Sequence, residues 1–416
     1  MQTMTIAKPH DGAGMLATWA LAAAQLVSWG SIYYAFSLFV VPMEHAMGWS
    51  RTSTNAALSV GLLVSGLAAY PVGTWIDHGH GRRVMVWGSV LAAAMLALWS
   101  QAHSLATLFV VWVGLGVAMA ATLYDPVFAI ITRDFPGSFR TKITLITLVA
   151  GFASTVFIPL TQGLVDGFGW RGALLALAAA NLVVCLPLHF FAIGRDAPRE
   201  NATDHKAALK VANAKATQRA LRTPTFWALA VCFTTYYATF AALTFHLVPL
   251  MTERQVPPAL ILITMAAIGP AQVLARVLWF TVGRNVRPSI VGIVITIAFP
   301  ASVAILMCAG TSPTLLILFA IVYGGANGMM TILRGTIVQD VMWTEGYGAV
   351  SGLLSMPSNI AKGIAPISAA AIWAIRSNYL LVEWTVLLVS IASAAAFVTA
   401  MRFASDRKLP VPNVAE

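Results

Sequence analysis

The chain has 416 residues, of which 59% are hydrophobic and 10% charged, with 25 lysines and arginines against 15 acids for a net charge of +10. A mean hydropathy of +0.80 excludes an ordinary soluble domain, in which about 25% of residues are charged, and places the chain among polytopic membrane proteins. The basic excess does not indicate a nucleic-acid partner, because 18 of the 25 lysines and arginines fall on one side of the expected topology, the side that positive charge marks as cytoplasmic.

Apolar stretches long enough to cross a bilayer predict twelve spans. Spans 1 to 6 are expected near 15–42, 53–75, 84–102, 105–131, 142–165 and 170–192. Spans 7 to 12 are expected near 225–251, 258–282, 288–309, 313–338, 348–375 and 379–402. Span 1 is too long for a signal-peptide core and is read as retained. The chain then divides into a tail at 1–14, a six-helix bundle at 15–192, a linker at 193–224, a second bundle at 225–402 and a tail at 403–416, with tails and linker cytoplasmic. The linker is too polar to insert, and its Ala- and Lys-rich part from His205 to Arg222 predicts a surface helix. Cys185, Cys232 and Cys308 lie in apolar runs and are odd in number, so no disulfide framework follows.

Between spans 2 and 3 runs Gly73-Thr74-Trp75-Ile76-Asp77-His78-Gly79-His80-Gly81-Arg82-Arg83. Glycines 79 and 81 permit a tight reversal, and the paired arginines hold the loop in the cytoplasm. A glycine, an acid four residues on, then a glycine and two basic residues resembles the loop motif of the major facilitator superfamily between its helices 2 and 3. His78 and His80 stand where the family usually has a basic residue and a glycine, and Gly81 comes one position late. The resemblance implies an all-α integral membrane fold of twelve transmembrane helices in two pseudo-symmetric six-helix bundles, with Gly73, Asp77, Arg82 and Arg83 as a cytoplasmic gate. Internal repetition agrees. Val41-Pro42-Met43 returns as Val248-Pro249-Leu250, and Leu108-Phe109 with Gly114 returns as Leu318-Phe319 with Gly324.

A charge at mid-bilayer costs roughly 2.5 to 3.5 kcal/mol even on lenient scales, so each one marks a cavity or a partner. Span 8 carries Gln272 and Arg276 one turn apart, an amide and a guanidinium on one face; the guanidinium fork suits a carboxylate. Span 11 carries Lys362 on a stripe with Ser351, Ser355, Ser358 and Asn359, and span 10 carries Gly324, Asn327, Thr331 and Arg334. Span 4 holds the one acid expected inside, Asp125, between Tyr124 and Pro126. Span 1 presents Gln25, Trp29, Tyr33 and Ser37, and span 7 presents Thr235, Thr239 and His246.

Three cations against one acid favour an anionic solute. The substrate-binding set is expected to be Arg276, Gln272, Lys362, Asn359, Tyr33, Tyr124 and Asn327. Arg276 preceded by an amide, together with Tyr34-Ala35-Phe36, resembles the bacterial monocarboxylate-porter branch of the superfamily, which implies a small monocarboxylate as substrate. Gln272 replaces an acid that branch often has, and Leu38 a lysine, so proton coupling would fall to other groups: Asp125, Arg334 and His246. An offset of 210 residues lays Tyr124 on Arg334 and Asp125 on Gly335, so acid and base sit at nearly equivalent depths and are expected to meet when the cytoplasmic side is closed.

A drug or metabolite exporter of the same fold is the alternative, although Pro159 follows Ile158 rather than the glycine of the usual antiporter motif. A membrane enzyme or a transporter-like sensor is the alternative from another class. No His-Glu-x-x-His, phosphate-binding glycine loop or Gly-x-Ser-x-Gly elbow occurs in the sequence. The expected partners are a small organic anion, protons and the lipid bilayer of a bacterial inner membrane, for a monomer without cofactor or metal.

Overall fold

The computed structural model describes residues 11–194, 202–281, 286–343 and 346–405. The outer parts of both expected tails, and residues 195–201 of the linker, lie outside this set. Helices make up the described structure, and no strand occurs among the described residues. Nine stretches among those residues are long and apolar enough to cross a membrane. Two of them, Ser53–Ser100 and Phe139–Ala192, run to 48 and 54 residues, too long for single crossings at 1.5 Å per residue. Each reverses at a glycine in the left-handed region, Gly79 with φ 84° and Gly169 with φ 68°, where a Cβ would be strained. Tyr347–Arg376 adds a 30-residue helix whose polar stripe dilutes its hydropathy. The whole is consistent with the twelve spans expected, within a few residues at most ends.

Two spans are broken for legible reasons. Span 4 consists of Leu105–Thr122 and Tyr124–Asp134, separated at Leu123 with ψ −154°. Pro126 has no N–H for the carbonyl of Thr122 four residues back. The amide donor that fills the vacancy comes from another helix: Gln25 Nε2 donates to Thr122 O at 2.5 Å. Asp125 is thereby placed in the first turn of a new half-helix, where the exposed N–H ends favour negative charge. In span 1 a π-turn at Trp29–Tyr34 joins Asp11–Ser28 to Phe36–Met47, closed by Ala35 N donating to Gly30 O at 3.0 Å. Such bulges recur at functional sites.

The apolar cores reveal how the halves meet. One cluster, from Ile32 to Ala178, belongs wholly to the first half. The other fills the second half but also takes in Ile76, Met85, Phe128, Ile131 and Ile143. The halves therefore share a core at the end carrying the Asp77 loop and keep apart at the other. Spans 2 and 11 give the same picture. A Cβ on Gly73 would lie 2.0 Å from Gly348 O, one on Gly352 2.4 Å from Ala69 O, one on Gly66 3.0 Å from Met356 O, and one on Gly363 3.3 Å from Ser59 O. The two backbones converge toward the Asp77 end.

The linker helix, Ala202–Leu221, is seated more firmly than a solvated surface helix would be. Asn213, Ala216 and Ala220 are buried along one side, and a Cβ on Gly346 would lie 2.8 Å from Ala216 Cβ.

If the closed end depends on this backbone approach, Gly73→Ala should cost roughly 1 to 3 kcal/mol through overpacking. Gly163→Ala, at a position with open space around it, should stay within about 0.5 kcal/mol of the parent. Unfolding of both variants in detergent checks this; equal melting would contradict the convergence.

Candidate functional site

Between the halves, Arg334 Nη2 donates to both carboxylate oxygens of Asp125, at 2.7 and 2.9 Å, and to Ser355 Oγ. The pair joins span 4 of the first half to spans 10 and 11 of the second, as the repeat offset predicted. Its side chains are 25% exposed at Asp125 and 13% at Arg334, so it borders the space between the halves. Arg334 also lies 5.4 Å from the ring centroid of Tyr237. Lys362 Nζ lies 4.1 Å from the same centroid, and donates to Asn359 Oδ1 at 3.3 Å. Among the described residues no carboxylate stands within ion-pair distance of Lys362. One acid is thus taken by one arginine, while the neighbouring lysine has an amide and an aromatic face as its contacts.

Arg276 is 4% exposed. Its Nε donates to Gly328 O at 3.0 Å across the span 8 and span 10 contact, and its Nη1 is buried without a partner. A Cβ on Gly151 of span 5 would fall 2.2 Å from that nitrogen, so only glycine there leaves room for the guanidinium. A buried N–H without an acceptor costs about 1 to 3 kcal/mol, more when charged. Gln272 does not join Arg276 directly; its Oε1 accepts from Asn327 Nδ2 at 3.2 Å, beside the Gly328 backbone that lies against Gln272.

Spans 1 and 4 form an aromatic wall. Trp29 meets Tyr33 edge to face at 5.3 Å and Tyr124 at 4.9 Å, Tyr33 meets Tyr34 at 5.3 Å, and Tyr124 stacks on Phe128 at 5.3 Å. The Arg276 charge reaches Tyr34 and Tyr124 electrostatically. Adjacent Tyr33 and Tyr34 in one wall are a consequence of the π-turn, whose extra residue rotates the helix face. Periodicity alone selects Tyr33 and misses Tyr34.

His246 stands apart from this cluster. Its Nδ1 is 2.9 Å from Tyr379 Oη and its Nε2 2.9 Å from Pro366 O, where Nε2–H donates to the carbonyl. It makes no contact with Asp125 or Arg334. Asp125 is also not the sole buried acid. Glu383 in the first turn of span 12 is 2% exposed and accepts from Arg254 Nη2 at 2.5 Å. Lys142, the first residue of expected span 5, is 6% exposed and donates to Gly14 O at 3.0 Å. Both lie within a turn or two of a helix end, where hydropathy cannot tell loop from bundle interior.

At the closed end, the loop outside spans 2 and 3 caps a helix of the other half. Asp77 Oδ1 accepts from Gly348 N at 2.9 Å and Oδ2 from Ala349 N at 2.7 Å, the free amides at the start of span 11. Burial pushes the Asp77 carboxyl up to about 6, while the two amides and Arg133 pull the other way. Gly73 supplies the close approach. Arg82 instead lies 3.6 Å over the Phe190 ring within its own half, and Arg83 lines the same pocket. Arg140 with Asp340 and Gln339 with Thr132 add side-chain hydrogen bonds across the halves. Sequence reading missed these pairs, which lie some 200 residues apart and follow no period.

With this geometry described, the chain was compared with known proteins. The model of the Major Facilitator Superfamily matches residues 21–366. Monocarboxylate transporter 13 of Rattus norvegicus is 27% identical over 341 residues, covering 80% of this chain and 77% of the relative. Among solved structures, the human organic anion transporter MFSD10 superposes with a TM-score of 0.68 at 15% identity, covering 94% of this chain and all of the other. The fucose:proton symporter of E. coli superposes with a TM-score of 0.69 at 14% identity, covering 94% and 98%. The chain is a multi-pass membrane transporter and belongs to the Major Facilitator Superfamily.

Proposed function

We propose that this transporter moves a small organic anion, a monocarboxylate, across a bacterial inner membrane by alternating access of its two halves, with proton coupling. The observation that carries the reading is Arg276, a buried guanidinium with an unpartnered Nη1; Lys362 of span 11 is a second cation that no described carboxylate pairs with. A carboxylate would satisfy both, and the aromatic wall would hold a short apolar substituent. The names of the rat relative and the human structure, both for carriers of organic anions, support the same class. The excess of positive charge on the Asp77 loop and linker supports a cytoplasmic location for that end. On that reading the described state is closed to the cytoplasm, and Asp77, Arg140 and Gln339 form the inner latch.

Opening the inner end would separate Asp125 from Arg334. An isolated carboxylate in a dry interior favours a proton, so the pair can link proton entry to movement of the halves. Substrate bound at Arg276 would draw the halves together from the outer side, and loss of the latch contacts would release it inward. The protein acts as a monomer on this account, since each half supplies part of one site.

Arg276→Ala should weaken carboxylate binding by roughly 2 to 5 kcal/mol, the cost of leaving a buried charge unpaired. Arg276→Lys should also be poor, because the fork is lost. Thermal-shift titration with lactate and pyruvate reads the affinity, and parental binding by Arg276→Ala would refute the anion site.

Asp125→Asn should abolish uptake driven by a pH gradient in proteoliposomes while gradient-free exchange of labelled for unlabelled anion persists. Equal loss of both activities, restored by exchanging the two residues, would make the pair structural instead.

A further inference from the structure

At the Asp77 end a groove of about 1320 Å³ opens between the linker helix and the ends of spans 9, 10 and 12. It is lined by Arg140, Lys215, Arg219, Arg222 and Arg287, with Asp340 as the one carboxylate. Asp340 is engaged by Arg140, and no ion pair involves the other four cations among the described residues. Arg219 lies 4.4 Å over the Trp343 ring, a contact that orients the guanidinium without neutralising it. The linker helix carries Lys215 and Arg219 one turn apart, and Arg222 follows its last residue, so this segment delivers three charges to one groove. Such a concentration of like charge is unfavourable unless an anion occupies it.

The groove is not polar throughout. Ile293, Ile337 and Met401 also line it. Arg287 is the residue before span 9, Pro288–Ala309, and from there Ile290, Val294 and Ile297 stand 50%, 61% and 53% exposed. Their spacing of four and three makes one apolar stripe that leads from the cations along the outside of the bundle. A soluble phosphate compound would use only the charged part. A molecule with an anionic head and acyl chains would use both, and cationic pockets at the cytoplasmic ends of spans suit such lipids.

We infer that this groove binds the headgroup of an anionic phospholipid, its phosphate held by Arg219, Arg222 and Arg287 and its chains laid on the Ile290, Val294 and Ile297 stripe. The site does not depend on which solute is carried. It is assembled across the halves, because Arg140 comes from span 5 and the linker helix rests on Gly346 at the start of span 11. A ligand that needs all these parts stabilises the state in which they meet. Anionic lipid is therefore expected to favour the form closed at the Asp77 end.

The test uses full-length protein in neutral detergent and a fluorescent phosphatidylglycerol. The triple variant Arg219→Gln, Arg222→Gln, Arg287→Gln should bind on the order of 100-fold more weakly, at about five-fold per cation removed. Changing the same three arginines to lysine should keep binding within a few-fold. Neither phosphatidylcholine nor millimolar inorganic phosphate should displace the probe. Should the glutamine triple not fold, Arg219→Gln alone is expected to lose about five-fold. Unchanged affinity in the glutamine variants overturns the site, and displacement by inorganic phosphate as effective as by unlabelled phosphatidylglycerol reassigns it to a soluble phosphate compound.

Discussion

The contact of Arg334 with Asp125 sets the electrostatics of everything around it. It takes the acid of span 4 and neutralises it at 2.7 and 2.9 Å, so that Arg276 and Lys362 face the interior with no counter-charge from that acid. It also spans the two halves. A buried ion pair is weak evidence for stability, since desolvation can exceed the Coulomb gain, but it is a strong determinant of which groups belong together. Here it ties the two halves together in the conformation described. The broken span 4 makes the arrangement possible: without Pro126 and the Gln25 amide, Asp125 would sit mid-helix rather than at a helix start.

The conformation follows from a gradient of backbone approach between spans 2 and 11. Where Gly73 meets Gly348 the chains nearly touch, and there Asp77 can reach across to cap the partner helix. Toward the other end the gap widens and the first half retains a core of its own. Small residues at the crossing allow close packing, which is the main attraction between helices when lipid is the solvent. On the proposed account the latch is a few hydrogen bonds and ion pairs at one end, so solute charge at the central site and lipid charge at the basic groove would act on the same equilibrium.

Much of this was legible in the sequence, because hydropathy reports spans directly and a charge in an apolar run announces itself. Arg276, Lys362, Asp125 and Arg334 were found that way, and the repeat offset paired the last two. What failed did so for physical reasons. Tyr34 entered only through the Tyr34-Ala35-Phe36 motif, because a π-turn breaks the 3.6-residue period that selects Tyr33. Arg82 was grouped with the gate by position in a motif, yet its guanidinium turns to Phe190 in its own half. Glu383 and Lys142 sit near helix ends, where composition does not separate a solvated residue from one folded into the bundle. His246 was grouped with the coupling residues by residue type alone, and its two hydrogen bonds occupy both ring nitrogens.

The central claim is that anion at Arg276 drives the halves from closed at the Asp77 end to closed at the other. The most direct measurement is the pair of distances between spin labels at each end, in vesicles with and without lactate. One pair is Gly137→Cys with Arg402→Cys near the Asp77 end; the other is Gly167→Cys with Thr311→Cys at the opposite end, with exposed Cys308 changed to serine and Cys185 and Cys232 left buried. The account predicts that lactate lengthens the first distance and shortens the second, and that Arg276→Ala abolishes both changes. Distances that ignore lactate, or that shift together in one direction, would contradict it.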